Sequence, residues 1–180
     1  MRDLVEEKKK KILEVDIRRD IYDLVRKNAG SHFREIERKS GLTVGTVSYH
    51  LNFLKKHNLI TEEKEGKNVR YFPKEFKAKN KKLMTFLRQK STRNILLQIL
   101  INKKCSHDDI TKNISLSPST VSWHVKKLLE NNLITTQKID RRTRYGIAID
   151  EKEVMNLLIT YKKTFLDAMV DNVVEMWEMD

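Results

Sequence analysis

Cysteine is almost missing from this chain: Cys105 stands alone among 180 residues. A single thiol excludes an intrachain disulfide and a cysteine-based zinc cluster, and it fits a reducing compartment, so a cytoplasmic protein is expected. Only five glycines and two prolines occur, which favours a helix-rich chain with few elaborate loops. No stretch approaches the ~18 apolar residues that a membrane-crossing helix requires. The N-terminus has no long apolar run of the kind a signal peptide carries. A Gly-rich phosphate loop and a nucleophile motif are both lacking, so neither an enzyme nor a cofactor is expected.

Acidic charge is also in short supply, except at one end. The net charge is +12 and the pI about 9.7, a balance that points to a polyanionic partner. From Asp150 to Asp180 the chain carries eight acidic and three basic residues, a net of −5, so residues 1–149 hold +17. The basic body and acidic tail should do different things. Hydrophobic residues make up 39%, enough for packed cores.

The chain also says one thing twice. LTVGTVSYHLNFLKKHNLIT (Leu42 to Thr61) and LSPSTVSWHVKKLLENNLIT (Leu116 to Thr135) align without a gap, 74 residues apart. Over Ile17–Pro73 against Ser91–Ile147, 17 of 57 positions are identical. A fixed period marks a duplicated structural unit, and the shared positions become candidates for that unit's job. They include Thr46/Thr120, Val47/Val121, Ser48/Ser122, His50/His124, Leu54/Leu128, Asn58/Asn132 and Arg70-Tyr71/Arg144-Tyr145.

The element order is predicted twice as well. Residues 2–28 read as one helix on a stripe that includes Leu4, Val5, Ile12, Leu13, Ile17, Ile21, Leu24 and Val25. A short helix over His32–Lys39 follows, then a turn at Ser40-Gly41-Leu42 and a helix capped by Thr43 that runs to about His57. A hairpin closes the unit, with its turn at Glu65–Asn68. The second copy offers Thr92–Asn102, Ser106–Asn113, a helix capped by Ser117 with Pro118 at its first position, and a hairpin tipped by Asp140-Arg141-Arg142. Residues 74–90, with seven basic and one acidic residue, read as a stiff, helical linker. The expected division is therefore 1–73, a linker at 74–90, 91–149, and a tail from 150 to 180.

Helix, short helix, turn, capped helix and two-stranded hairpin is the order of a winged helix-turn-helix, whose third helix enters the DNA major groove. The segments TVSYHLNFLKKHNLI and STVSWHVKKLLENNLI resemble the recognition helix and following strand of ArsR- and MarR-like regulators. Asn58 and Asn132 stand where those families often have Gly, a mild departure because Asn tolerates the left-handed cap. The resemblance covers both repeats, about two-thirds of the chain. It implies a mainly α fold with small β-wings, two tandem winged helix-turn-helix domains and double-stranded DNA as the partner. Proteins of this size and arrangement look most like prokaryotic, especially archaeal, transcription regulators. The main rival is a scaffold in which one or both winged helices bind protein, since fold does not fix function.

With the core stripe turned inward, the capped helices would present their opposite faces to DNA. Those faces hold Gly45, Thr46, Tyr49, Asn52 and Lys56 in the first copy, with the cap Thr43 and the flanking Ser48. In the second they hold Ser119, Thr120, Trp123, Lys126 and Lys127, with Ser117 and Ser122. Small residues permit close approach, Ser and Thr bond phosphates or base edges, Asn52 suits adenine and Lys126 guanine. For His50 and His124, a packed histidine and a phosphate contact are equally open. The wings add Lys67 and Arg70, then Arg141, Arg142 and Arg144, for phosphate or minor-groove contact. Cys105-Ser106-His107-Asp108 superficially resembles a metal site, but one thiol at this spacing is weak evidence and no metal is expected.

From Glu151 the tail reads as one long amphipathic helix with Val154, Leu158, Tyr161, Phe165, Met169, Val173 and Trp177 on its stripe. Such a stripe must be covered. It either packs back on its own subunit or pairs with its twin. Pairing is the favoured expectation, because the helix is long, terminal and lacks the basic charge of the rest, and it predicts a homodimer. The sequence identifies no effector.

Overall fold

The structure, a computed structural model, describes the backbone of residues 2–179 and the side chains of residues 7–64 and 66–178. The expected core positions Leu4 and Val5 lie outside the described side chains. The chain divides into two compact units, residues 1–82 and 83–180.

In the first unit, the helix expected over residues 2–28 is broken into α1 (Arg2–Ile12) and α2 (Asp16–Lys27). Val15 adopts an extended conformation and begins α2, and the Arg18 guanidinium donates to the Ile12 carbonyl across the break (2.7 Å). A two-residue strand, β1 (Ser31–His32), precedes α3 (Phe33–Ser40) and α4 (Val44–Lys56). The hairpin is β2 (Ile60–Glu65) and β3 (Asn68–Pro73). All pairings are antiparallel in the order β1-β3-β2. Strand β1 was not legible, since two residues carry no periodicity. Ile21, Tyr22 and Val25 of α2 pack with Ile36, Val47, Leu51, Leu54 and Ile60 to form the core.

The second unit begins with the end of α5 (Ala78–Leu87), whose Leu83, Met84, Phe86 and Leu87 are buried. The basic segment 74–90 is therefore partly core. Next come α6 (Lys90–Ile101), α7 (His107–Asn113), α8 (Pro118–Glu130) and the hairpin β4 (Ile134–Ile139) and β5 (Arg142–Ile147). A single antiparallel bridge, Cys105 to Tyr145, stands where the first unit has β1.

The tail departs from expectation. It forms two helices, α9 (Glu151–Phe165) and α10 (Ala168–Met179), broken at Leu166, which is left-handed (φ 47°). Helix α10 packs on α9 and on α6. The stripe proposed for pairing is thereby covered within its own unit: Val154, Leu158, Phe165 and Val173 are buried, Tyr161 and Met169 half-buried, and Trp177 exposed. The reason lies in α6, where Ile95, Leu96, Leu97, Ile99 and Leu100 are all buried. A helix apolar all round needs cover on more than one side, and the tail supplies it.

A buried ion pair fixes that corner. Arg93 at the start of α6 donates through Nε (3.1 Å) and Nη2 (2.6 Å) to Asp167, and through Nη1 to the Leu87 carbonyl (2.7 Å). The other Asp167 oxygen accepts from the Met169 backbone N–H (3.1 Å), capping α10.

Candidate nucleic-acid interface

Both capped helices are built alike at each end. The Thr43 hydroxyl accepts from the Thr46 N–H, and the Ser117 hydroxyl from the Thr120 N–H, each at 3.3 Å. Side-chain caps of this kind satisfy an otherwise orphaned donor. The Thr46 and Thr120 hydroxyls lie 2.9 and 2.8 Å from the same capping oxygens. Their retention in both copies therefore has a structural cause. At the far ends, Asn58 (φ 63°) and Asn132 (φ 55°) adopt the left-handed conformation. The Leu59 and Leu133 N–H groups then reach back to the Leu54 and Leu128 carbonyls, at 2.9 and 3.0 Å. This is the Schellman arrangement, which Asn supports in place of Gly.

On α4 the outward face presents Gly45, Tyr49, Asn52 and Lys56, all exposed, with Thr46 and Ser48 half-buried. A Cβ built on Gly45 would meet nothing within 4 Å, so the helix start is open to close approach. On α8, Ser119, Ser122, Trp123 and Lys126 are exposed, and Thr120 and Lys127 half-buried. Ser122 is tied down: its hydroxyl donates to the Pro118 carbonyl (2.9 Å) and shares a hydrogen bond with His107 Nε2 (2.9 Å). Lys126 lies 3.8 Å from Glu130 in an exposed i,i+4 pair, which competes little with a phosphate or a base.

His50 and His124 are packed residues, each 8% exposed, with a buried Nδ1 that has no hydrogen-bond partner. Burial holds both imidazoles below the usual histidine range, with added repulsion from Arg18 at His50 and from Lys127 at His124. Each meets the preceding aromatic ring edge-on, Tyr49 at 5.1 Å and Trp123 at 4.8 Å between centroids.

The wings divide the expected cations. Lys67, Arg141 and Arg142 are exposed on the hairpin tips. Arg70 does not belong with them: it is 4% exposed, and its guanidinium donates to the Gly30 carbonyl (2.8 Å), locking β3 to the turn between α2 and β1. Arg144 is half-buried and meets Asp109 at 3.2 Å. Asp109 also completes a capping box with Ser106. Those bonds from Ser106, ahead of the Arg144 charge, hold its carboxyl below the usual range. The first wing has further acids, with Glu62 paired to Lys55 (2.7 Å) and Glu63 to Lys81 (2.8 Å).

Around Cys105 the metal-like string is used otherwise. The thiol is buried and pushed up to about 11, first by burial and then by Asp109. Ser106 caps α7 and His107 meets Ser122. Among the described residues, no three His, Cys, Asp or Glu side chains gather into a cation site, and no helix is long and apolar enough to cross a membrane.

Two family models match the chain in succession. Residues 15–84 match one described as an N-terminal HTH domain, and residues 88–135 match one described as winged helix-turn-helix DNA-binding. A Methanocaldococcus jannaschii protein named as an uncharacterized HTH-type transcriptional regulator is 29% identical over 137 residues, 76% of this chain and 34% of its own length. The chain thus spans about a third of the relative it matches. Two helix-turn-helix domains stand in tandem here, and the similarity to an archaeal regulator agrees with the sequence resemblance. Together the matches support a DNA-binding regulator.

Proposed function

We propose that this chain is a cytoplasmic transcription regulator of the ArsR/MarR-like kind that recognises specific double-stranded DNA sequences through α4 and α8. One observation carries the reading. Two copies of a capped helix expose small residues at the start and polar or cationic ones further along, in a body of +17. The contacts fall into two groups. Thr43, Thr46, Ser48, Ser117, Ser119, Thr120 and Ser122 lie near the helix starts, where phosphate contact is favoured. Asn52, Lys56, Lys126 and Lys127 are long enough to reach base edges or the flanking backbone. The tips Lys67, Arg141 and Arg142 grip phosphates.

A homodimer stays in this reading, but on the apolar residues that the unit leaves exposed. The buried stripe is spent inside the unit, whereas Leu166 (91% exposed), Met176 and Trp177 leave apolar surface outside.

Fluorescence-anisotropy titration of labelled duplex at several salt concentrations tests the main claim. Log affinity should fall linearly with log salt, with a slope near −0.9 per phosphate contacted. Binding no tighter than that of an unrelated protein of equal pI would overturn it.

A second reading has one observation in its favour. The acids of β2 and their ion pairs leave the first wing poor in net positive charge, which suits a unit that docks on protein. In that case deleting the cations of the second wing would abolish DNA binding, and replacing Lys56 and Lys67 would leave it unchanged.

A further inference from the structure

Tyr49 and Trp123 occupy the same position of the two repeats, and both are heavily exposed, at 61% and 53%. The chain hides comparable rings elsewhere: Tyr22 and Phe72 are fully buried. Each exposed ring is held rather than loose. The histidine that follows it is buried and meets it edge-on, with interplanar angles of 79° and 74°. One flank is also occupied, by Phe53 at 6.4 Å from Tyr49 and by the Lys127 ammonium at 4.0 Å from the Trp123 ring. Both rings stand one turn beyond the capped Thr46 and Thr120, in the part of a recognition helix that meets base edges.

The two residues differ in their polar handles, a phenolic O–H against an indole N–H. What they share is a rigid apolar ring. The partner they share should therefore be apolar, and the base edges of the major groove offer one apolar group, the 5-methyl of thymine.

We propose that Tyr49 and Trp123 each read a thymine through its 5-methyl group, so that the preferred duplex carries one such thymine opposite each recognition helix. This inference rests on the DNA-binding reading above. Losing one buried methyl should weaken binding about fourfold.

The test starts from the duplex that the full-length protein enriches from a random library. Each thymine is then replaced singly by deoxyuridine, which removes only the methyl. One replacement should weaken binding about fourfold for the native protein and have no effect for Tyr49→Ala; a second should behave likewise with Trp123→Ala. Tyr49→Phe and Trp123→Phe should keep the sensitivity, because they keep a ring. Both positions are exposed, so the alanine variants should fold, as circular dichroism will report. An enriched duplex indifferent to every uracil, or uracil effects that persist in both alanine variants, overturns this inference alone. Failure to enrich any duplex overturns the DNA reading and this inference with it.

Discussion

Helices α2 and α6 occupy the same place in the two repeats and have opposite surroundings. Helix α2 buries one face, with Ile21, Tyr22 and Val25, and turns Asp16, Arg19, Arg26 and Lys27 to solvent. Helix α6 buries Thr92 and Arg93 and then Ile95 through Leu100, with α10 of the tail packed on it. One aligned residue shows the difference. Arg19 sits at the surface beside Asp16, whereas Arg93 lies in a buried pair with Asp167. A duplicated helix-turn-helix thus keeps its caps and turns while its outer face is rebuilt, left charged in one copy and made apolar in the other.

The comparison breaks most readily at that arginine. Asp167→Ala would leave Arg93 buried without its partner, at a cost of about 3–5 kcal/mol. Arg19→Ala, at the equivalent exposed site, should change stability by less than about 0.5 kcal/mol. Urea denaturation followed by amide exchange assigned to each unit measures both. Equal losses would mean that the buried pair does not set the second unit's stability.

Next in size is Arg70. Replacing it by alanine removes a charged donor to the Gly30 carbonyl and should cost about 1.5–3 kcal/mol. Binding by the folded fraction should be unchanged. Active-site-style titration of DNA with a protein concentration corrected for folding separates the two effects, and a lost phosphate contact at full folding would return Arg70 to the interface.

The sequence made the repeat, the order of its elements, the caps Thr43 and Ser117 and the left-handed asparagines legible, because each has a local signature. At the positions kept in both copies it left structural and DNA-facing roles unseparated. Thr46 and Thr120 support caps, Val47, Leu54, Val121 and Leu128 are core, and Arg70 and Arg144 brace their wings. Identity between repeats reports the shared fold, while exposed positions that differ, Asn52 against Lys126 or Lys56 against Glu130, are where the units can diverge. The stripe of the tail is compatible both with packing on its own unit and with pairing, and only α6 favours the first. The run Ile95–Leu100 already required cover that α7, α8 and a two-stranded wing cannot give on every side. The break at Leu166 carries neither Gly nor Pro, and its one local signal is Asp167, an N-cap residue type placed just before α10.

The wings give a third test. Arg141→Ala with Arg142→Ala should weaken binding to all duplexes alike and reduce the magnitude of the salt slope by about two. Lys67→Ala with Lys64→Ala, the latter an exposed residue of β2, should reduce it less, given the paired acids beside them. Equal changes would erase the distinction between the wings.

Histidine provides a test in which the two units should agree. His50 and His124 are held below the ordinary value of about 6.5 by burial. As pH falls through that value the unfolded chain takes up protons first. Their contribution is therefore present above about pH 6.5 and lost progressively on acidification. Denaturation midpoints between pH 7.5 and 5 should show the decline, and His50→Gln with His124→Gln should flatten it. An unchanged slope would assign the acid sensitivity to other groups.

The smallest expected effect lies at the wing tips. The two-residue loop of the second wing has left-handed backbone at both positions, Asp140 (φ 50°) and Arg141 (φ 66°). The first wing places Gly66 (φ 59°) at the position of Asp140 and Lys67 at that of Arg141. A side chain in this region costs about 1–2 kcal/mol that glycine avoids, so Arg141 is held where glycine would be easier. Strain of this sort tends to persist where a side chain is needed for function. Arg141→Gly should stabilise the second unit by about 1 kcal/mol and at the same time reduce the magnitude of the salt slope by about one. Thermal unfolding and the anisotropy titration, run on one preparation, read the two changes together. Greater stability with undiminished DNA binding would show that the strained arginine is not kept for the phosphate backbone, and that the difference between the wings lies in Arg142 and in the acids of β2.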